Sequence, residues 1–198
     1  MIVICIIWMI DPEKTIQILD SSSRVNKIKV LESLSQTSNP DIIRKIISKL
    51  DDPEINVRGE AFSSLFLNKN DISAFLIEAL CSVSKNVRGF SALVLANRGD
   101  SNAISTLELL AKDPSSMVRS CALGALGYLH STQSITIIRK CFTDEELEVR
   151  KSALGAFFRI NGKIFSSEIE KLTKNADDEL TFLIIKISKN QVNGPGGI

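Results

Sequence analysis

Residues 111–130 read AKDPSSMVRSCALGALGYLH, and the same sentence is written several times along the chain. Asp113-Pro114 is followed by Val118-Arg119, then by small and apolar residues among which Ala122 and Leu126 stand three and seven positions after the arginine. Spacings of three, four and seven place side chains on one face of a helix. The order returns around Arg58 (INVRGEAFSSLF), Arg88 (KNVRGFSALVLA) and Arg150 (LEVRKSALGAFF), so that the four arginines stand 30, 31 and 31 residues apart. One more step back from Arg58 reaches Lys27 in VNKIKVLESL, and one more step on from Arg150 reaches Thr181 in DELTFLIIKI. Four clear copies between two worn ones are the signature of stacked units, whose end members lack a neighbour on one side.

Two further positions keep the register. Three residues after the basic anchor come Val30, Ala61, Ser91, Ala122 and Ala153; seven after it come Leu34, Leu65, Leu95, Leu126 and Phe157. A small residue lets a neighbouring helix approach, and the large one fills the space between units. In the third copy Ser91 and Ala92 compete for the small position if its loop is one residue shorter. Each unit therefore reads as two helices. The first, A, spans about 24–36, 55–67, 86–98, 117–129, 147–160 and 178–189, and the second, B, about 41–50, 71–82, 102–112, 132–142 and 164–174. Asn68–Asp71, Gly99-Asp100-Ser101, His130-Ser131 and Asn161-Gly162 supply the A-to-B turns, with Asp71, Ser101 and Ser131 as expected caps. The expected organisation is an apolar segment and orphan helix over 1–20, a repeat array over 21–190 and a flexible tail over 191–198.

An aspartate precedes the arginine by six residues at Asp52/Arg58, Asp113/Arg119 and Asp144/Arg150, whereas Ser82 precedes Arg88. Such an aspartate caps the coming helix and meets an arginine of its own or a neighbouring unit, which makes Asp52, Arg58, Arg88, Asp113, Arg119, Asp144 and Arg150 the members of an expected structural ladder. The turn aspartate, the Val-Arg pair, the alanines 61, 122 and 153 and the Leu or Phe seven after the arginine together resemble HEAT repeats, specifically the short HEAT-like repeats named after phycobilisome lyases. The resemblance covers roughly residues 20–190 and implies an all-α fold, an α-solenoid of about five to six two-helix repeats. It says little of function, because the matching residues are those that build the stack.

Composition narrows the rest. Hydrophobic residues at 44% and charged residues at 24% suit a folded chain, and a net charge of +1 gives no bulk attraction to nucleic acid or anionic lipid. The cysteines, Cys5, Cys81, Cys121 and Cys141, form no C-x-x-C pair; with a single histidine they read as reduced, mostly buried thiols of a cytoplasmic protein without a zinc site. The opening MIVICIIWMI has about half the roughly 20 residues of a membrane span, and is expected to dock over the first repeat, the alternatives being a homo-oligomer contact, a membrane-surface anchor or a mis-assigned start. Deoxyhypusine hydroxylases, enzymes built on similar repeats, hold a di-iron centre through His-Glu pairs, but here His130 is alone and reads as a turn residue. The sole Trp8 and Tyr128 leave little for stacking on DNA bases, and no nucleophile–base set or phosphate loop appears. Gly124, Gly127 and Gly155 fall inside helices, where close packing is the expected cause. No catalytic residue, cofactor or metal is expected.

What remains is a binding surface. The B helices alternate in charge: +2 over 41–50, −2 over 71–82, zero over 102–112, +2 over 132–142 and zero over 164–174. A nucleic-acid track needs one sign throughout, so the expected partner is a protein or peptide lying on the concave B-helix face. Arg44, Lys45, Glu78, Glu108, Arg139 and Lys140 are the candidate contacts of a non-enzymatic scaffolding module. The alternative is an accessory subunit of an enzyme complex, including a bilin-lyase-like chromophore chaperone.

Overall fold

The A helices begin where the repeated arginines place them. In a computed structural model, which describes residues 11–173 and 176–192, four of them are 13 residues long: α4 (Ile55–Leu67), α6 (Lys85–Asn97), α8 (Ser116–Tyr128) and α10 (Leu147–Arg159). Each starts three residues before its Val-Arg arginine. They are preceded by α1 (Pro12–Asp20) and α2 (Arg24–Ser33), and the last A helix is α12 (Asp178–Val192). The B helices are α3 (Pro40–Ser48), α5 (Ser73–Ala79), α7 (Ile104–Leu110), α9 (Ile135–Lys140) and α11 (Ser166–Thr173). Among the described residues there is no strand, and the chain is an α-solenoid. The apolar opening 1–10 and the tail from 193 lie outside the described residues. Helices α1 to α6 belong to one compact unit, Met1–Arg98, and α7 to α12 to a second, Gly99–Ile198.

The B helices are shorter than the periodicity predicts. Several are entered or left through 3-10 turns, at Lys49–Asp51, Ser101–Ala103, Thr132–Ser134 and Cys141–Thr143, because the chain reverses sharply there. Asp71 accepts from the Ser73 N–H (3.2 Å) but stands one residue ahead of the cap position, which Ile72 occupies. Asp100 takes the role expected of Ser101, accepting from the Asn102 N–H at 3.1 Å, and Ser131 shares a 2.7 Å hydroxyl bond with Ser134 instead of capping a helix.

The 30-residue interval has a local cause. Gly99 (φ 73°), His130 (φ 50°) and Asn161 (φ 54°) each stand two residues past the end of an A helix, in the left-handed conformation that lets the chain turn back. Helix α4 has no such residue: its cap Asn68 is extended (φ −66°, ψ 120°), and the turn is one residue shorter. Side chains hold it instead. The Arg98 guanidinium donates to the carbonyls of Leu65 (3.2 Å), Asn68 and Asn70 (2.9 Å), while Asn68 and Asn70 reach the Thr37 and Gln36 carbonyls at 2.8 and 3.1 Å. Carbonyls that a helix leaves open at its end are thereby satisfied.

The core follows the register. Leu34, Leu65, Leu95, Leu126 and Phe157 are at most 1% exposed, and Ala61, Ser91, Ala122 and Ala153 are fully buried, with Val30 half-buried at the worn first copy. Each large side chain so buried contributes about 1.5–3 kcal/mol relative to exposure. Phe142 and Phe157 meet edge to face at 5.0 Å and 83°. Ser91 and Ala92 are both buried, so neither displaces the other. Close packing explains Gly127 but not Gly124 or Gly155: a Cβ on Gly127 would lie 2.6 Å from the Ala156 Cα, while one on Gly124 or Gly155 would meet nothing within 4 Å.

Candidate functional site

The turns between a B helix and the next A helix carry the chain's most regular polar chemistry. In the four that carry the repeated arginine, that side chain reaches back with its Nη1 to two backbone carbonyls. Arg58 donates to Asp52 (2.8 Å) and Pro53 (3.1 Å), Arg88 to Ser82 (2.8 Å) and Val83 (3.1 Å), Arg119 to Asp113 (3.0 Å) and Pro114 (3.3 Å), and Arg150 to Asp144 (2.8 Å) and Glu145 (3.0 Å). The turn aspartates accept from the backbone two residues on: Asp52 from Glu54, Asp113 from Ser115 and Asp144 from Glu146, at 2.8–3.0 Å.

The carboxylates also reach a base of the preceding unit. Asp144 receives a forked pair from Arg119, Nε at 2.8 Å and Nη2 at 2.7 Å, and Asp52 receives Lys27 Nζ at 2.8 Å. Both pairs are well covered, with side-chain exposures of 11% and 12% for Arg119 and Asp144, and 11% and 2% for Lys27 and Asp52. Burial pushes both carboxyls up, but the hydrogen bond from the base, the backbone N–H and the neighbouring positive charge outweigh it, and both lie below the ordinary aspartate value. The Arg119 guanidinium is correspondingly raised, chiefly by its hydrogen bonds to Asp144.

One turn departs from this plan. Ser82 stands where the other turns have aspartate, and its hydroxyl is turned onto the Ser84 N–H at 3.2 Å. Val83, fully exposed, stands where Pro53, Pro114 and Glu145 stand elsewhere. Arg58 is held by its two carbonyls like its counterparts, yet no carboxylate of the described residues reaches it. Beside this turn, within the first unit, a groove of about 660 Å³ is bordered by Arg44 and Ile47 of α3, Phe75 and Glu78 of α5, and Ser82 and Val83. The Arg44 guanidinium lies 4.9 Å from the Phe75 ring centre, and Glu78 is exposed.

The six candidate contacts divide. Arg44 and Glu78 come together in that groove. Lys140 is exposed beside a smaller groove of about 470 Å³ in the second unit, which Ile135, Thr136, Arg139 and Phe165 also line. The other three are committed to the fold. Lys45 pairs with Asp20 at 2.5 Å, and Glu108 accepts the Ser134 hydroxyl at 2.6 Å. Arg139 pairs with Glu168, donates to the Lys163 carbonyl (2.7 Å) and covers the rings of Phe157 and Phe165 at 4.9 and 5.2 Å. Charge on a B helix was a poor guide because those helices also carry the polar ties between units. Phe75 and Val83 were missed, although Val83 is legible as a break in the repeated Asp-Pro pair.

The thiols are not uniformly buried: Cys141 is buried and Cys121 half-buried, but Cys81 is exposed, and Cys5 lies outside the described residues. Burial pushes the Cys121 thiol up to about 11. Among the described residues no three His, Cys, Asp or Glu side chains are grouped to hold a metal ion, and no helix is long and apolar enough to cross a membrane.

Comparison with known proteins places these features. Residues 73–157 match a family model described as HEAT repeats, and residues 30–59 match one for the HEAT repeat associated with sister chromatid cohesion. No curated protein matches the chain. Solved structures share the architecture. An engineered protein is 18% identical, with 94% of this chain and 100% of that one covered and a TM-score of 0.57. A designed armadillo repeat protein in complex with the peptide (KR)4 is 18% identical over 90% of this chain and 100% of that one, at 0.53. The complex of CpcE and CpcF of phycocyanin lyase from Nostoc sp. PCC7120 gives 20% identity over 90% and 76%, at 0.55. Identities this low speak for the fold alone.

Proposed function

Because the chain is a HEAT-repeat protein, we propose that it is a non-enzymatic binding module whose partner is a protein segment lying along the B helices of the first unit. The observation that carries this reading is the groove between α3 and α5, where Arg44, Phe75, Glu78 and Val83 are gathered and no ion pair among the described residues uses either charged group. Apolar surface with a few polar groups at its margin is the ordinary make-up of a peptide groove. A repeat array suits an extended ligand because successive helix pairs repeat the same spacing. The armadillo protein with a bound basic peptide is an instance of a similar fold used in this way. The three free thiols of the described residues fit a reducing, cytoplasmic setting.

The test is a peptide-display selection on the full chain, repeated on Phe75→Ala. Selected sequences should share a motif and lose at least about tenfold in affinity on the variant, the share expected of a central aromatic contact. Selected peptides that bind both forms equally would remove the groove from consideration.

A further inference from the structure

Resting on that reading, we infer that Arg58 is a receptor for a partner's carboxylate, so that the segment bound at the first unit's groove is acidic, with an apolar side chain next to its acid. The argument starts from Arg119. Its Nη1 is fixed on two backbone carbonyls, which leaves Nε and Nη2 aimed outward as a fork, and the fork is filled by Asp144 at 2.8 and 2.7 Å. Arg58 is fixed in the same way, on Asp52 at 2.8 Å and Pro53 at 3.1 Å. Its rotamer freedom is already spent on those bonds, so the outer edge is presented in the geometry that accepts a carboxylate bidentately. The turn that should fill it offers Ser82, whose side chain is shorter than aspartate, uncharged and engaged with Ser84.

Three neighbouring features agree on what takes the place. Ser82 itself borders the groove, so the gap in the ladder opens onto the candidate binding surface. Val83 is wholly exposed and Phe75 half-exposed beside it, which is apolar surface for a residue flanking the acid. Of the two acids that border the groove, Asp51 already accepts from the Asn86 amide at 2.7 Å, and neither it nor Glu78 pairs with Arg58. A carboxylate from outside would reproduce a contact the chain makes within itself at Lys27–Asp52 and Arg119–Asp144.

The chain supplies its own probe, because residues 142–149, FTDEELEV, contain the turn that fills the Arg119 fork. Fluorescein-labelled FTDEELEV, its neutral form FTNQQLQV and the basic peptide (KR)4 are titrated against the full chain, Arg58→Ala, Ser82→Asp and Phe75→Ala. The acidic peptide should bind the full chain about tenfold or more better than the neutral one, the discrimination a charge-assisted pair provides. Arg58→Ala and Ser82→Asp should each abolish that preference, and Ser82→Asp should do so with an unchanged or raised melting temperature, since it fills the fork from within. Equal binding of acidic and neutral peptides, or a preference that survives Ser82→Asp in a folded protein, overturns the assignment of Arg58. If a peptide of any charge is bound and lost only with Phe75→Ala, the groove stands and Arg58 falls. If none of the three binds, both are wrong.

Discussion

Two turns of the same design, 82–84 and 144–146, are built from the same backbone bonds and differ in whether a carboxylate takes the arginine of the preceding repeat. At the second, Asp144 caps Glu146, takes the fork of Arg119 and ties two units together. At the first, Ser82 satisfies one backbone N–H and leaves Arg58 with its carbonyls only. The comparison separates what a repeat needs to fold from what it has to spare. Arginine on backbone carbonyls occurs at all four sites, so it belongs to the turn itself. The carboxylate is an addition that one turn does without.

The largest effect expected is from making the second turn like the first. Asp144→Ser should lower stability by about 2–3 kcal/mol in urea unfolding, because it leaves a largely covered arginine without its acid. A loss under about 0.5 kcal/mol would mean that the pair is idle and the two turns are equivalent. Arg119→Ala removes the fork but leaves Asp144 with the Glu146 N–H, and should cost about 1–3 kcal/mol. If instead stability were unchanged, the tie between units would lie elsewhere.

Acid sharpens the same contrast. The folded Asp52 and Asp144 carboxyls lie below their unfolded value. Their contribution is therefore complete above the unfolded aspartate value of about 3.9 and is lost as pH falls through the lower folded values. Stability measured from pH 6 downward should fall less steeply in Asp144→Asn than in the parent, while Ser82→Ala should leave the slope untouched. The smallest expected change is a gain: Ser82→Asp should add up to about 1 kcal/mol by completing the missing pair. A loss there would show that Arg58 is not aimed at the turn.

Much of this was legible in the chain. The A helices fall within a residue or two of where the Val-Arg register puts them, except that α12 runs on to Val192 and α2 stops at Ser33, because the worn first copy lacks the strong apolar end of the others. The B helices were read too long, since Ser101, Thr132 and their neighbours continue an apolar pattern through residues that fold as 3-10 turns. The six-residue spacing from aspartate to arginine was visible, and of the two partners it left open, an arginine of the same or of a neighbouring unit, the structure shows the neighbouring one at Arg119–Asp144. That spacing brings the arginine to a backbone carbonyl, and the carboxylate goes to a base 25 residues earlier, at Lys27–Asp52 and Arg119–Asp144. The groove was half legible, through Arg44 and Glu78. Phe75 was hidden as one apolar residue among many on its helix, and the shortened turn after α4 showed only as an interval of 30.

The short span of the polar ties has a kinetic consequence. The side-chain bonds named between repeats join residues 24 to 35 positions apart, so the pairs that fasten one helix pair to the next form across short loops, and none of these named bonds straps distant parts of the chain together. Closing loops of that size is fast and entropically mild, and protection should therefore grow outward from whichever helix pairs dock first. Amide exchange followed residue by residue would then resolve a gradient: slow at α8 and α10, which Arg119 and Asp144 clasp, and faster at the start of α6, where Ser82 offers no such clasp.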